Sequence, residues 1–261
     1  MGDYADVNGV HLYYEIHGQG RPTMLLHGGL GNGSMFGANL AALARGRKVI
    51  APDRQGHGRT ADVDRKLNAE NVSGDIIALI EHLKLDQVDI VGYSLGGGAA
   101  LWTTLKRPDL VRKLVVISTP IRRNAFFADI LGQQEQVGPE TAEMMKQTPM
   151  YQLYASIAPR PQDWGRLLGK IGEGMKDDFD LTKQVATIKT PTMFVAGDAD
   201  MFPPKHAVEI FELLGGGKKD GGWMGEGRST ARLAILPGVT HYAMGAAPSL
   251  MEVVIPFLDE A

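Results

Sequence analysis

Residues 88–102 read VDIVGYSLGGGAALW. Branched apolar Val88, Ile90 and Val91 lead into Ser94, which has Gly92 and Gly96 two positions away on either side; an alanine-rich run follows. The apolar run suits a buried strand and the alanine-rich run a buried helix. A chain that passes from one to the other within two residues has to turn sharply. Residues two positions before and after such a turn approach each other, and only very small ones fit. The segment therefore predicts a tight strand–turn–helix that holds the Ser94 hydroxyl out at the end of a sheet. The G-x-S-x-G spacing alone carries little weight, because 33 glycines and seven serines in 261 residues give about 0.1 matches by chance. The strand before it and the helix after it make it specific.

The flanking sequence has the same rhythm. His11–Ile16 follows the turn pair Asn8-Gly9 and reads as the second strand of a hairpin with Tyr4–Val7. Strands are expected at Thr23–Leu26, Lys48–Ala51, Val88–Gly92, Lys113–Ile117, Pro191–Gly197 and Ala231–Leu236. Helices are expected at Ser34–Ala44, Asn71–Leu83, Leu95–Lys106, Lys205–Leu214 and Pro248–Leu258, with Gly-rich residues 215–227 as a loop. Strand alternating with helix across short connections implies βαβ crossovers and a mostly parallel sheet. From about 119 to 189 the alternation stops, leaving helical patches at Ala125–Gln136, Glu140–Lys146 and Asp163–Ile171. This block enters directly after a strand's carboxyl end, where open α/β sheets bind ligands. It is expected to be a helical cap or lid, with 1–118 and 190–261 as the core. Phe126, Phe127, Met144, Met145, Met150, Tyr151 and Tyr154 lie in it; they suit either an adaptable apolar pocket or the lid's own small core.

Composition narrows the chemistry. A net charge of −3 gives no electrostatic reason to bind nucleic acid or an anionic membrane, and neither partner is expected. The absence of cysteine excludes disulfides, thiolate metal sites and cysteine nucleophiles, and fits a reducing, cytoplasmic setting. The opening residues have no basic and apolar leader pattern, and no stretch reaches 18 uninterrupted apolar residues. No metal motif, phosphate loop or dinucleotide fingerprint is present, so no cofactor is expected.

A serine hydroxyl is a weak nucleophile that needs a base, and the base needs an orienting group. Gly197-Asp198-Ala199-Asp200 and Pro237–His241 each follow an expected strand, which puts their side chains at the same sheet edge as Ser94, in the chain order Ser…Asp…His. His241 is the candidate base. The other six histidines fit less well: His11 and His17 belong to the hairpin, His82 to the exposed end of a helix and His206 to the start of one. His27-Gly28-Gly29-Leu30 ends another strand. There the backbone N–H groups of Gly29 and Leu95 are candidate donors to an oxyanion, and His27 is expected to brace the loop.

On HGGLGNG (27–33), APDRQGHGRT (51–60), GYSLGGG (92–98), GDAD (197–200) and PGVTHY (237–242), the chain resembles α/β-hydrolase fold enzymes over nearly its whole length. The resemblance implies a mostly parallel twisted sheet flanked by helices, with a helical lid. It implies a Ser94–His241–Asp200 triad, Asp200 being the aspartate three residues after the glycine. Asp198, directly after that glycine, suits a backbone contact in the turn. His57 and Arg59 are expected to brace a loop or face solvent. A serine at 94 argues against the branches that use an aspartate nucleophile. The implied activity is hydrolysis of a small-molecule carboxylic ester through an acyl-enzyme. Opening of an enol-lactone or acyl-homoserine lactone is the alternative on the same triad, and perhydrolysis or carbon–carbon hydrolysis would use it too. A non-catalytic ligand receptor on this fold is the reading from another class.

Overall fold

A computed structural model describes residues 2–260. Eight strands form one sheet in the order β1-β2-β4-β3-β5-β6-β7-β8. They are β1 Gly2–Val7, β2 Val10–His17, β3 Arg21–Leu26, β4 Arg47–Pro52, β5 Val88–Tyr93, β6 Val111–Ile117, β7 Thr192–Ala199 and β8 Arg232–Thr240. The β1–β2 hairpin and the β2–β4 pair are antiparallel, and every other neighbouring pair is parallel. Asn8 and Gly9 both have positive φ (48° and 76°), as a two-residue hairpin turn requires.

Among the described residues ten α-helices accompany the sheet: α1 Ala38–Leu43, α2 Ala69–His82, α3 Leu95–Lys106, α4 Ala128–Glu135, α5 Ala142–Met145, α6 Pro149–Ile157, α7 Trp164–Lys176, α8 Thr182–Val185, α9 Pro204–Leu213 and α10 Pro248–Asp259. Alternate strand residues go to opposite faces. Met24, Ile90 and Leu114 join one core with the buried stripes of α2, α3, α7 and α9. Leu25, Val91 and Val115 join a second core with α1 and α10. With both faces covered, Met24–Leu26, Ile90–Val91 and Leu114–Ile117 are apolar on both faces rather than alternating.

Local departures from the sequence reading have physical causes. Ser34–Ala44 is not one helix. Gly37, at φ 51°, separates a 3₁₀ turn at Gly33–Phe36 from α1. The last strand does not stop at Leu236. It runs through Pro237 and Gly238 to Thr240, because β8 is an edge strand and carries a register shift there, where proline is tolerated. Between β6 and β7, residues 119–189 contain α4 to α8. Helix α6 is absent from the sequence-based expectation. Thr148 caps it by accepting from the Tyr151 N–H at 3.4 Å, with Pro149 in its first turn. The block is anchored by α7, whose Trp164, Leu167, Leu168 and Ile171 are buried, and by ion pairs from Arg166 and Lys170 to buried Asp62 at 2.5 and 2.8 Å.

Strand β5, which leads to Ser94, is pinned at its other end. Asp89 is fully buried and accepts from Arg47 Nη1 at 2.7 Å and from Arg112 Nε and Nη2 at 2.7 Å each. Removing Asp89 would leave Arg112 without the carboxylate it pairs with and Arg47 with only exposed Asp259, and breaking a buried pair in this way is costly. Asp89→Ala is therefore expected to lower the unfolding free energy by about 3–5 kcal/mol in urea titration. A loss within experimental error would mean that the arginines re-solvate freely.

Candidate active site

Ser94 joins β5 to α3 with φ 55° and ψ −121°, a backbone conformation rare outside glycine. Close approach on both sides imposes it. A Cβ at Gly92 would lie 2.5 Å from the Gly96 carbonyl oxygen. One at Gly96 would lie 2.4 Å from the Leu26 oxygen and 2.5 Å from the His27 oxygen. Four bonds hold the turn: the Ser94 N–H donates to Ile117 O at 2.9 Å, and Ser94 O accepts from Thr119 Oγ1 at 2.9 Å and from the Gly97 and Gly98 N–H groups at 2.8 and 3.2 Å. The Ser94 side chain makes no capping bond to α3 and stays partly exposed.

His241 is the first residue after β8, and its carbonyl accepts from the Tyr93 hydroxyl at 2.6 Å. Its Nε2 lies 3.1 Å from Ser94 Oγ and its Nδ1 lies 2.8 Å from Asp200 Oδ1. Burial raises the Asp200 pKa, but hydrogen bonding and charge at His241, the Ser118 hydroxyl and the Met201 N–H together leave it below the usual carboxylate value. An ionised Asp200 only accepts. Nδ1 therefore carries the imidazole proton, and Nε2 offers its lone pair to the Ser94 hydroxyl. Asp200 Oδ2 accepts from Ser118 Oγ at 2.5 Å, and Oδ1 accepts from the Met201 N–H at 2.8 Å. Asp198 points elsewhere. It is exposed and accepts from the Gly238 N–H at 2.8 Å, clamping β7 to the bulge of β8.

The Gly28–Gly29 segment lies against the Ser94 turn. A Cβ on Gly28 would be 3.4 Å from Ser94 Cβ, and one on Gly29 would be 3.1 Å from Leu95 Cδ1. Among the described residues, neither the Gly29 nor the Leu95 N–H donates to a protein acceptor. For Leu95 this follows from its place at the first position of α3, where helical N–H groups have no partner inside the helix.

Behind that segment His27, Arg54 and His57 are buried together. His27 Nε2 accepts from the Arg54 N–H at 3.1 Å, so Nδ1 carries the proton and donates to Gly28 O at 2.7 Å. His57 Nδ1 donates to Gln55 O at 2.9 Å. Burial, reinforced by the Arg54 charge, holds the His27 pKa far below its ordinary value and pushes His57 down to about 3, so both rings are neutral. Arg59 is half-buried over the Tyr13 ring, 5.0 Å from its centroid. His206 is buried on α9, accepts from the Ile121 N–H at 3.2 Å and lies 3.1 Å from Glu209, away from Ser94. Ser118, Tyr93 and Arg54 were not legible as site residues in the sequence. A narrow cavity beside His57 is walled by Leu30 and Gly31 on one side and by Leu153, Tyr154 and Ile157 of α6 on the other. Of the aromatic and Met residues in 119–189, Tyr151 and Tyr154 pack on Trp164, while Met144 and Met150 are exposed.

The profile of the α/β hydrolase fold family matches residues 22–149. A Rhizobium rhizogenes protein that carries the name carbamate hydrolase RutD is 35% identical, the match covering 78% of this chain and 86% of that one. A non-heme haloperoxidase of Rhodococcus erythropolis is 28% identical over 90% of both chains. Among solved structures, the enol-lactonase of Burkholderia xenovorans superposes with a TM-score of 0.73 at 20% identity, covering 99% of this chain and 100% of that one. With that sheet order, the turn at Ser94 and these matches, the chain belongs to the α/β hydrolase fold family.

Proposed function

We propose that the protein is a serine hydrolase that cleaves carboxylic esters of small molecules by acyl transfer through Ser94. The observation that carries the proposal is the unbroken sequence of bonds from Ser94 Oγ through His241 to Asp200, next to two N–H groups with no acceptor among the described residues. Ser94 Oγ attacks the ester carbonyl carbon as its proton passes to His241 Nε2. The carbonyl electron pair moves to oxygen, which faces the Gly29 and Leu95 N–H groups and the positive end of α3. Asp200 stabilises the imidazolium that forms. The intermediate collapses, the alcohol leaves with the proton from His241, and Ser94 holds the acyl group. Water then gives a proton to His241 and attacks the acyl carbon. Ser94 recovers its proton as the carboxylic acid departs.

The same steps open a lactone, where the alcohol stays tethered to the acyl group. Carbamate cleavage is a second reading, favoured by the 35% identical relative. A carbamate offers the same carbonyl for attack, with nitrogen in place of a carbon substituent. An intact set of nucleophile, base and carboxylate argues against a receptor without catalysis.

The reading extends to residues 119–189 as a lid. The block starts at the carboxyl end of β6, and α6 brings Leu153 and Ile157 to the cavity wall facing Leu30.

Turnover of p-nitrophenyl acetate and butyrate tests the chemistry. Ser94→Ala is expected to lose at least about a thousandfold in rate with the fold retained. Asp200→Asn should lose roughly four orders of magnitude in kcat, the scale seen when an orienting carboxylate is neutralised. Asp198→Asn should stay within a few-fold of wild type, since its bond is to backbone. A crippled Asp198→Asn beside an active Asp200→Asn would move the acid two residues upstream, and an active Ser94→Ala would end the proposal.

The lid has its own readout. Leu153→Ala with Ile157→Ala should change the butyrate-to-acetate ratio of kcat/KM by about tenfold, the scale of one or two methylene contacts in an apolar pocket. A flat chain-length profile would make the block scaffolding.

A further inference from the structure

Arg54 is buried yet paired with no carboxylate, and the chemistry above leaves it unused. No carboxylate forms an ion pair within 4 Å with its guanidinium nitrogens among the described residues, and its Nε has no hydrogen-bond partner. A buried cation without a counter-charge is costly, and a fold that retains one has a reason close by. What the guanidinium does touch is specific: Nη2 donates to Gly28 O at 2.8 Å. The same carbonyl accepts from His27 Nδ1 at 2.7 Å, and that proton is fixed on Nδ1 because the Arg54 N–H occupies Nε2. Arg54 thus acts on one carbonyl oxygen twice, through its side chain and through the tautomer of His27.

The peptide that contains Gly28 O also contains the Gly29 N–H. The peptide is trans, so its C=O and N–H point in opposite directions. Two donors clamp the oxygen on the buried side, which turns the N–H towards the Ser94 turn, where it has no protein acceptor. A charged donor on the carbonyl draws electron density through the amide and strengthens the N–H as a donor. We propose that Arg54 is a positioning residue for the oxyanion site: its unpaired guanidinium aims and polarises the Gly28–Gly29 peptide so that the Gly29 N–H meets the negative oxygen that forms on the substrate. The inference rests on the reading of Ser94 as nucleophile. Burial pulls the Arg54 pKa down to about 9, which leaves the group charged at neutral pH. The neighbouring imidazoles, His27 and His57, are neutral and do not offset it. Positive charge behind the peptide matters most once the oxygen is anionic. Its loss should therefore appear in kcat and in the binding of tetrahedral adducts, and much less in KM.

The experiment compares wild type with Arg54→Met, which fills the space without the charge. Three quantities are read: kcat and KM on p-nitrophenyl butyrate, the inhibition constant of an alkyl trifluoromethyl ketone that adds to Ser94, and the melting temperature. The expected result is a fall in kcat of about ten- to a hundredfold, somewhat less than loss of an oxyanion donor itself. KM should stay within about twofold, and affinity for the ketone should weaken by the same factor as kcat. Unchanged kcat, or a lowered kcat with undiminished affinity for the ketone, would overturn the inference and leave Arg54 as a brace. If Arg54→Met does not fold, Arg54→Lys takes its place, keeping a cation with no forked donor. It should lose about three- to tenfold in kcat at constant KM, and a wild-type kcat overturns the inference. An active Ser94→Ala is a separate outcome: it removes the functional reading and this inference with it, whatever Arg54 does.

Discussion

The site depends on one close approach. Strand β5 and helix α3 are joined so tightly that the Gly96 carbonyl would lie 2.5 Å from a Cβ at Gly92, and the Leu26 carbonyl 2.4 Å from one at Gly96. That contact forces Ser94 to φ 55°, and the strained turn points its side chain away from both cores. The strain is sustained because the surroundings over-determine it. β5 sits between β3 and β6 in the parallel sheet, Ile117 of β6 accepts the Ser94 N–H, and Thr119 donates to its carbonyl. Glycine at 92 and 96 is thus a packing requirement, and the functional geometry follows from it.

The sheet then brings the partners to one edge. Parallel strands end on the same side, so the loops after β3, β5, β6, β7 and β8 converge there, and each contributes a group. Gly28 and Gly29 follow β3, Ser94 follows β5, Ser118 follows β6, Asp200 follows β7 and His241 follows β8. Polarity is divided with care at this edge. Asp200 is a buried carboxylate held ionised by donors from His241, Ser118 and the Met201 N–H. His27 and His57 are held neutral by burial. Arg54 keeps a charge that no carboxylate among the described residues pairs with. In the proposed reading, negative charge on one side of the nucleophile supports the imidazolium, and positive potential on the other supports the oxyanion.

The parts legible in the sequence are those whose signal is local. A strand, a serine between two glycines and a helix follow one another within residues 88–106, strand ends place the Asp198–Asp200 turn and His241 by simple alternation, and the family resemblance singles out Asp200. The parts that were not legible depend on distant contacts. Ser118 meets Asp200 across 82 positions and Tyr93 meets His241 across 148, and neither a serine after a strand nor a tyrosine at the end of one announces such a partner. Arg54 sits in a motif with Arg59, five residues on, and the sequence gives both the same charge; only the path of the chain buries the first and leaves the second half-buried beside Tyr13 and Glu15. Helix α6 was invisible for a similar reason. Its Tyr151 and Tyr154 pack on Trp164 of a later helix, so its apolar face is defined by a neighbour and not by its own spacing. The choice between Asp198 and Asp200 turns on the bulge at Gly238, which a sequence two residues either way would not reveal.

The central claim is that Ser94 attacks a carbonyl whose oxygen settles on the Gly29 and Leu95 N–H groups. A crystal structure of the enzyme inactivated by a p-nitrophenyl alkylphosphonate tests it most directly, since the tetrahedral phosphorus stands in for the attacked carbon. The account predicts a covalent bond from Ser94 Oγ to phosphorus and one phosphoryl oxygen about 2.7–3.1 Å from both nitrogens. It also predicts that His241 keeps its contact with Asp200. A phosphoryl oxygen turned to solvent, or phosphorus attached to a different residue, would contradict it.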